Sequence, residues 1–169
     1  MRPPAKNSRV IGIDPGSIFC GYGIIDRSGI DDVNYIASGR IALKKSDPLN
    51  IRIKELYTDL LDVIKEFKPD TAVIERVFFA KGIKAALNLG HARGIALLAA
   101  TMENLDVYEY SALEVKKSVA GYGRAEKRQV MSMVSRILGL KTAVSEDSAD
   151  ALALALCHLN SMRIASVIG

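Results

Sequence analysis

Long hydrophobic runs are missing from this 169-residue chain. Its longest apolar stretches, GIALLAATM and ALALALC, are too short to cross a bilayer, so no membrane partner is expected. The basic N-terminus, MRPPAKNSR, leads into a strand-like segment rather than an apolar signal region, and the expected compartment is the cytoplasm. Cysteine and histidine are scarce, at two each. Cys20 and Cys157 are far apart and lack metal-ligand spacing, which points to two partly buried free thiols. His91 and His158 each stand alone in helix-like apolar stretches and are expected to be packed or surface-exposed rather than ligating. Internal repeats and low-complexity tracts are absent. So are nucleotide-cradling loops: Gly121 and Gly123 complete neither a Walker loop nor a Rossmann fingerprint.

What remains is an ordinary globular composition, with 49% apolar residues and a length that suits one domain over residues 1–169. The net charge of +4 suggests a polyanionic partner. Positive residues cluster at Lys44-Lys45, Lys116-Lys117 and from Arg124 to Arg128. RVIGID reads as a buried strand ending on Asp14, followed at once by a Pro15-Gly16 turn. GYGIID is a second strand, and Val33, Tyr35, Ala37, Gly39 and Ile41 alternate on one face of a third. Short turns make these three an antiparallel meander. From 48 to about 67, apolar residues recur at three and four, which is an amphipathic helix with Pro48 in its first turn and Pro69 as its stop. TAVIE is a short strand ending on Glu75, a helix follows from about 83 to 103, and DVYEY is a fifth strand. Three helices follow, the middle one entered through the glycine-punctuated basic loop GYGRAEKRQ. Ser145 is the expected cap for the last. The order β-β-β-α-β-α-β-α-α-α implies a mixed five-stranded sheet, three strands antiparallel and then parallel, flanked by helices.

Four carboxylates stand out in that frame. Asp14 and Glu75 end strands which, if parallel neighbours, deliver both acids to one sheet edge, where α/β folds bind ligands. Asp147 and Asp150 share a face in the first turn of the last helix, and Asp150 directly precedes ALALAL, an expensive place for a charge. Acids so gathered repel one another unless a divalent cation joins them, and all-oxygen donors favour Mg²⁺, with Mn²⁺ as a substitute. Two such ions form the clamp used for in-line attack on a phosphodiester. Plainer accounts exist: Asp14 suits a turn, and Asp147 suits the positive end of a helix.

The stretches IGIDPGSIFCGYGII, AVIERVFFAKGIKAALNLGHARGIALLAA, VKKSVAGYGRAEKRQV and DSADALALALCH resemble the RuvC family of Holliday junction resolvases, in order and over nearly the whole chain. The resemblance implies an RNase H-like fold and a homodimeric endodeoxyribonuclease. It would place symmetric nicks in a four-way DNA junction, leaving 5′-phosphate and 3′-hydroxyl ends, in recombination and repair alongside the RuvA and RuvB branch-migration complex. The family's catalytic, metal-holding acids fall on Asp14, Glu75, Asp147 and Asp150, its junction-probing aromatic on Phe78, and two important basic residues on Lys116 and Lys127. Position 76 is Arg where some members have Gln, which leaves sequence preference open.

Around the acids, Lys81, Lys116, Arg124, Lys127 and Arg128 are candidate phosphate contacts. Phe78 is a candidate for stacking on a base, and Tyr122 for contacting sugar or base. Gly90 and Gly94 lie one turn apart on the second helix, and that face serves either a two-fold dimer or core packing. An actin-like kinase or ATPase would need a second phosphate loop that the chain lacks. A nuclease of the same fold acting on RNA–DNA hybrid, or a non-catalytic module binding branched DNA, remain alternatives.

Overall fold

The structure is a computed structural model that describes residues 8–29, 32–76 and 82–168. Its elements follow the expected order: β1 (Ser8–Asp14), β2 (Phe19–Arg27), β3 (Val33–Ala42), α1 (Leu49–Phe67), β4 (Thr71–Arg76), α2 (Ile83–Met102), β5 (Asp106–Ser111), α3 (Ala112–Ala120), α4 (Lys127–Ile137) and α5 (Glu146–Ile168). The sheet order is β3-β2-β1-β4-β5. The meander is antiparallel, and β1, β4 and β5 run parallel. Among the described residues no helix is long and apolar enough to cross a membrane.

Strand alternation sorts the core into two layers. Ile11, Ile13, Ala72 and Ile74 face α1 and α2, whereas Val10 and Val73 face α5 with α3 and α4. The α5 face of β1 and β2 is paved with glycine. A Cβ on Gly12 would meet the Ala151 carbonyl oxygen, one on Gly23 would meet Leu152, and one on Gly21 would meet the Asp147 carbonyl oxygen. These glycines let the apolar run of α5 lie directly on the sheet, with Ala151, Leu152, Ala155 and Leu156 fully buried. Close packing of this kind ties the start of α5, and hence its acids, to the strand ends.

Local chemistry accounts for the helix boundaries. Ser111 and Glu114 form a reciprocal capping box at α3. Gly121, at φ 87°, ends that helix in the left-handed conformation glycine tolerates. The Ser148 N–H donates to Ser145 Oγ at 3.2 Å, as expected of a cap. Both cysteines are free, and they are fully rather than partly buried, one in each core layer. His158 is buried beneath Tyr108, with Nδ1 3.0 Å from the Tyr110 hydroxyl, and His91 is exposed. Burial lowers the His158 pKa to about 4, so it is neutral and structural.

The pattern expected of β3 also needs correction. The alternating residues of β3 do not share a face from end to end. The pairing shifts between Ile24 and Ile25, which oppose Ala37 and Tyr35, leaving Ile36 as an inserted residue. Val33 therefore packs on the α5 side, while Ile41 packs on the opposite side. A bulge reverses the face of every residue beyond it, and strict alternation in sequence cannot reveal one.

Candidate active site

β1 and β4 are parallel neighbours in the register Ile13↔Ile74. One step further along, Asp14 and Glu75 come side by side. Asp14 shares its face with Val10 and Glu75 with Val73, so both carboxylates project toward α5 (strand side chains alternate). Asp14 also pairs with Gly21, Gly21 with Arg40 of β3, and Glu75 with Tyr110 of β5. A single row therefore crosses all five strands: Arg40, Gly21, Asp14, Glu75, Tyr110. Gly21 contributes no side chain, and the Asp147 backbone sits over it.

Asp14, Glu75 and Asp150 line one cleft of about 220 Å³, with Lys116 and Lys127 on its far wall and Val115, Val130 and Leu154 in its floor. Burial, followed by the charges of Asp150, Glu75 and Asp147, pushes the Asp14 pKa up to about 7, and Lys127 only partly opposes this. Glu75 is raised by burial and by Asp150. Asp150 is also raised by burial, against the pull of Lys127. The first turn of α5 is thus joined electrostatically to the ends of two strands.

Two cations come to these acids from opposite sides. Lys127 Nζ lies 2.9 Å from Asp150 Oδ2 and 3.3 Å from Glu146 Oε2. Those partners raise the lysine pKa further, so it stays charged. Its position is otherwise unfavourable, because α4 begins with Lys127 and Arg128 and has no acid in its first turn. On the other side, Arg40 Nη1 lies 3.7 Å from Asp147 Oδ2. Among the described residues no three His, Cys, Asp or Glu side chains stand together in an arrangement that holds a metal ion. Asp147 is turned toward Arg40, and Asp150 toward Lys127. The donor set is nevertheless all carboxylate and too crowded to ionise freely, the condition a divalent cation relieves.

The other candidates separate by place. Lys116 lines the acid cleft with Lys127. Tyr122 and Arg128 line a neighbouring groove on α3 and α4, where the Tyr122 hydroxyl donates to Gln129 Oε1 at 2.7 Å. Arg124 is exposed between them in sequence. Phe78 and Lys81 lie outside the described residues. Two arginines near the acids carry no motif of their own. Arg93 of α2 donates from Nε to the Glu75 carbonyl at 3.3 Å and pairs with Glu109, anchoring the end of β4. Arg40 completes the cross-strand row. Helical spacing hinted at neither, and the signal for Arg40 is its register, which only strand pairing reveals.

Comparison with known proteins identifies the family and the fold. The family model described as "Crossover junction endodeoxyribonuclease RuvC" matches residues 10–158. A crossover junction endodeoxyribonuclease RuvC from Ruminiclostridium cellulolyticum is 46% identical over 164 residues, covering 95% of this chain and 96% of the relative. One from Caldicellulosiruptor saccharolyticus is 44% identical over 154 residues, covering 90% and 93%. The structure of Thermus thermophilus RuvC in complex with Holliday junction substrate superimposes with a TM-score of 0.88 at 33% identity, covering 94% of this chain and 97% of the other.

Proposed function

The chain belongs to the RuvC family of crossover junction endodeoxyribonucleases, and from that premise we propose that its row of acids cuts four-way DNA junctions. It is a junction-resolving nuclease with the RNase H-like fold. The observation that carries the site assignment is the convergence of Asp14 and Glu75 on Asp150 in one cleft faced by Lys116 and Lys127.

In this reading Asp14, Glu75 and Asp150 hold divalent ions, and Asp147 is the fourth candidate ligand. Two Mg²⁺ ions, or Mn²⁺ in their place, would supply an activated water and a stabilised leaving oxygen. The protein's own part is positioning. The glycine track under α5 holds Asp150 against the strand ends. Lys127 favours the charged form of Asp150 and, with two of its three donors directed at Asp150 and Glu146, keeps the third for a phosphate oxygen. Lys116 offers another cation on the same wall. Attack by water on phosphorus, with the P–O3′ bond breaking and a proton passing to the leaving oxygen, would leave a 5′-phosphate and a 3′-hydroxyl.

A four-way junction has two-fold symmetry, and a two-fold dimer can cut it on opposing strands. The exposed face of α2 supports a second copy of this chain as the partner. Ile83 and Leu87 are exposed there, as are Leu98 and Met102, and a Cβ on Gly90 or Gly94 would touch nothing among the described residues. A solution mass equal to one 18.3 kDa chain would remove the dimer. Placement in the cytoplasm, beside the RuvA and RuvB complex, completes the reading; a change in resolution rate on adding that complex checks it.

The test is incubation with a labelled synthetic four-way junction, with and without Mg²⁺, mapping nicks on all four strands. Paired nicks at symmetric positions on two opposing strands, dependent on the metal, are expected. Preferential cutting of RNA–DNA hybrid would favour the alternative nuclease. Junction binding without cutting under any divalent ion would favour the non-catalytic module.

A further inference from the structure

The row that carries the acids continues past them to Arg40, which faces the same side of the sheet as Asp14 across the empty position of Gly21. The Arg40 guanidinium carbon lies 4.2 Å from the centre of the Phe19 ring. Stacking of this kind restrains the planar fork and leaves its edges available. The contact with Asp147 is single and long, at 3.7 Å, and the Arg40 side chain remains 44% exposed. A fork with five donors is not exhausted by one such contact. Phe19 itself is 42% exposed, a large ring at the start of β2, two residues before the Gly21 that pairs with Asp14.

Further cations are fastened to the same end of the sheet. β3 ends at Ala42, opposite Phe19, and Lys44 and Lys45 follow it, both exposed. Lys44 reaches Asp47 only at 3.9 Å and is 75% exposed. The backbone here is tied down: the Leu43 N–H donates to the Ile18 carbonyl at 2.8 Å, and Arg52 donates to the Ser17 carbonyl at 2.9 Å. The described cations of the acid cleft, Lys116 and Lys127, all stand on its α3–α4 side. Set against Asp14, Glu75, Asp147 and Asp150, they would hold a polyanionic strand from one flank only.

We propose that Arg40, seated on Phe19, forms with Lys44 and Lys45 a second phosphate-binding rim on the β2–β3 side of the acid row. Its ligand is the phosphodiester backbone of the DNA strand that enters the cleft, read without base contact. The strand is then gripped on both flanks, with the acids between. This rests on the resolvase reading.

The test measures binding of a fluorescent synthetic four-way junction in chelator, across a salt series, so that no cleavage or metal enters the readout. Arg40→Ala is expected to weaken binding about 3- to 10-fold and to lower the salt slope by about one, and Lys44→Ala with Lys45→Ala by about two. Arg40→Lys should keep the slope, since the charge remains. Lys65→Ala, on α1 far from the acids, should bind as the parent does. Arg40→Ala and the double lysine variant binding with unaltered affinity and slope would overturn the rim. So would an Arg40→Ala protein that loses only thermal stability, since its role would then end at Asp147. Equal weakening by Lys65→Ala would reduce the effect to overall charge and overturn it too. A parent protein that did not bind the junction at all would sink the resolvase reading as well as the rim.

Discussion

β1 carries a charge at each end, and the two ends are built differently. At its start, Arg9 holds Asp26 through two bonds of 2.7 Å each, donates to the Phe67 carbonyl at 2.7 Å, and receives Asp70 on its own backbone N–H at 2.9 Å. Arg9 and Asp26 there form a close ion pair, and Asp70 accepts from a backbone N–H. At its end, Asp14 meets other acids, and the cations nearby, Arg40 and Lys127, make their contacts with Asp147 and Asp150 rather than with Asp14. The first arrangement lowers the energy of the folded chain by itself. The second raises it unless something positive arrives. Matched charges mark a structural joint, and an unmatched surplus of one sign in a cleft marks a place for a ligand.

The sharpest way to break that contrast is Asp14→Asn. Nicking of a four-way junction in Mg²⁺ should fall by about 10²–10³-fold or more, the scale seen when a group facing the reacting centre is removed. Junction binding in chelator should survive. Undiminished nicking would take Asp14 out of the site.

The same substitution sharpens the contrast through pH. Asp14 is pushed from 3.8 up to about 7 in the folded protein. The fold therefore keeps a proton that the unfolded chain releases near pH 4. The stability this contributes is fully present below that point and is lost as pH rises through about 7. Without metal, the parent protein should lose stability between about pH 4 and about pH 7, by an amount on the order of 4 kcal/mol at about 1.4 kcal/mol per pH unit. Asp14→Asn should lack that part of the decline and melt higher than the parent at pH 8, and added Mg²⁺ should restore the parent. Parallel pH–Tm curves for the two proteins would show that Asp14 is not crowded.

The smallest effect belongs to the other end. Arg9→Ala leaves Asp26 without its partner, and should cost about 2 kcal/mol in chemical denaturation, since the pair is partly exposed. Nicking per folded molecule should be unchanged. A loss of activity without a loss of stability would mean that the matched end is not merely structural.

The parts of the site that were legible in sequence are those written locally. Asp14 and Glu75 announce themselves by closing apolar strands, and Asp150 by standing at the head of ALALAL. Lys127 was legible as a basic residue but not as the partner of Asp150, because that contact joins α4 to α5 across a loop. Arg40 was hidden for the same reason, and the bulge at Ile36 compounds it by reversing the face of half of β3.

By itself the sequence determined the element order, the strand-end acids and the Ser145 cap, because period, punctuation and capping act between residues a few positions apart. The tertiary structure alone decided that Arg40, Asp14 and Glu75 stand in one row, that α5 settles onto bare glycines, and that Asp147 and Asp150 turn to cations on opposite sides. Register and helix placement depend on contacts between segments far apart in the chain, and a one-residue change in either would carry every side chain to another face.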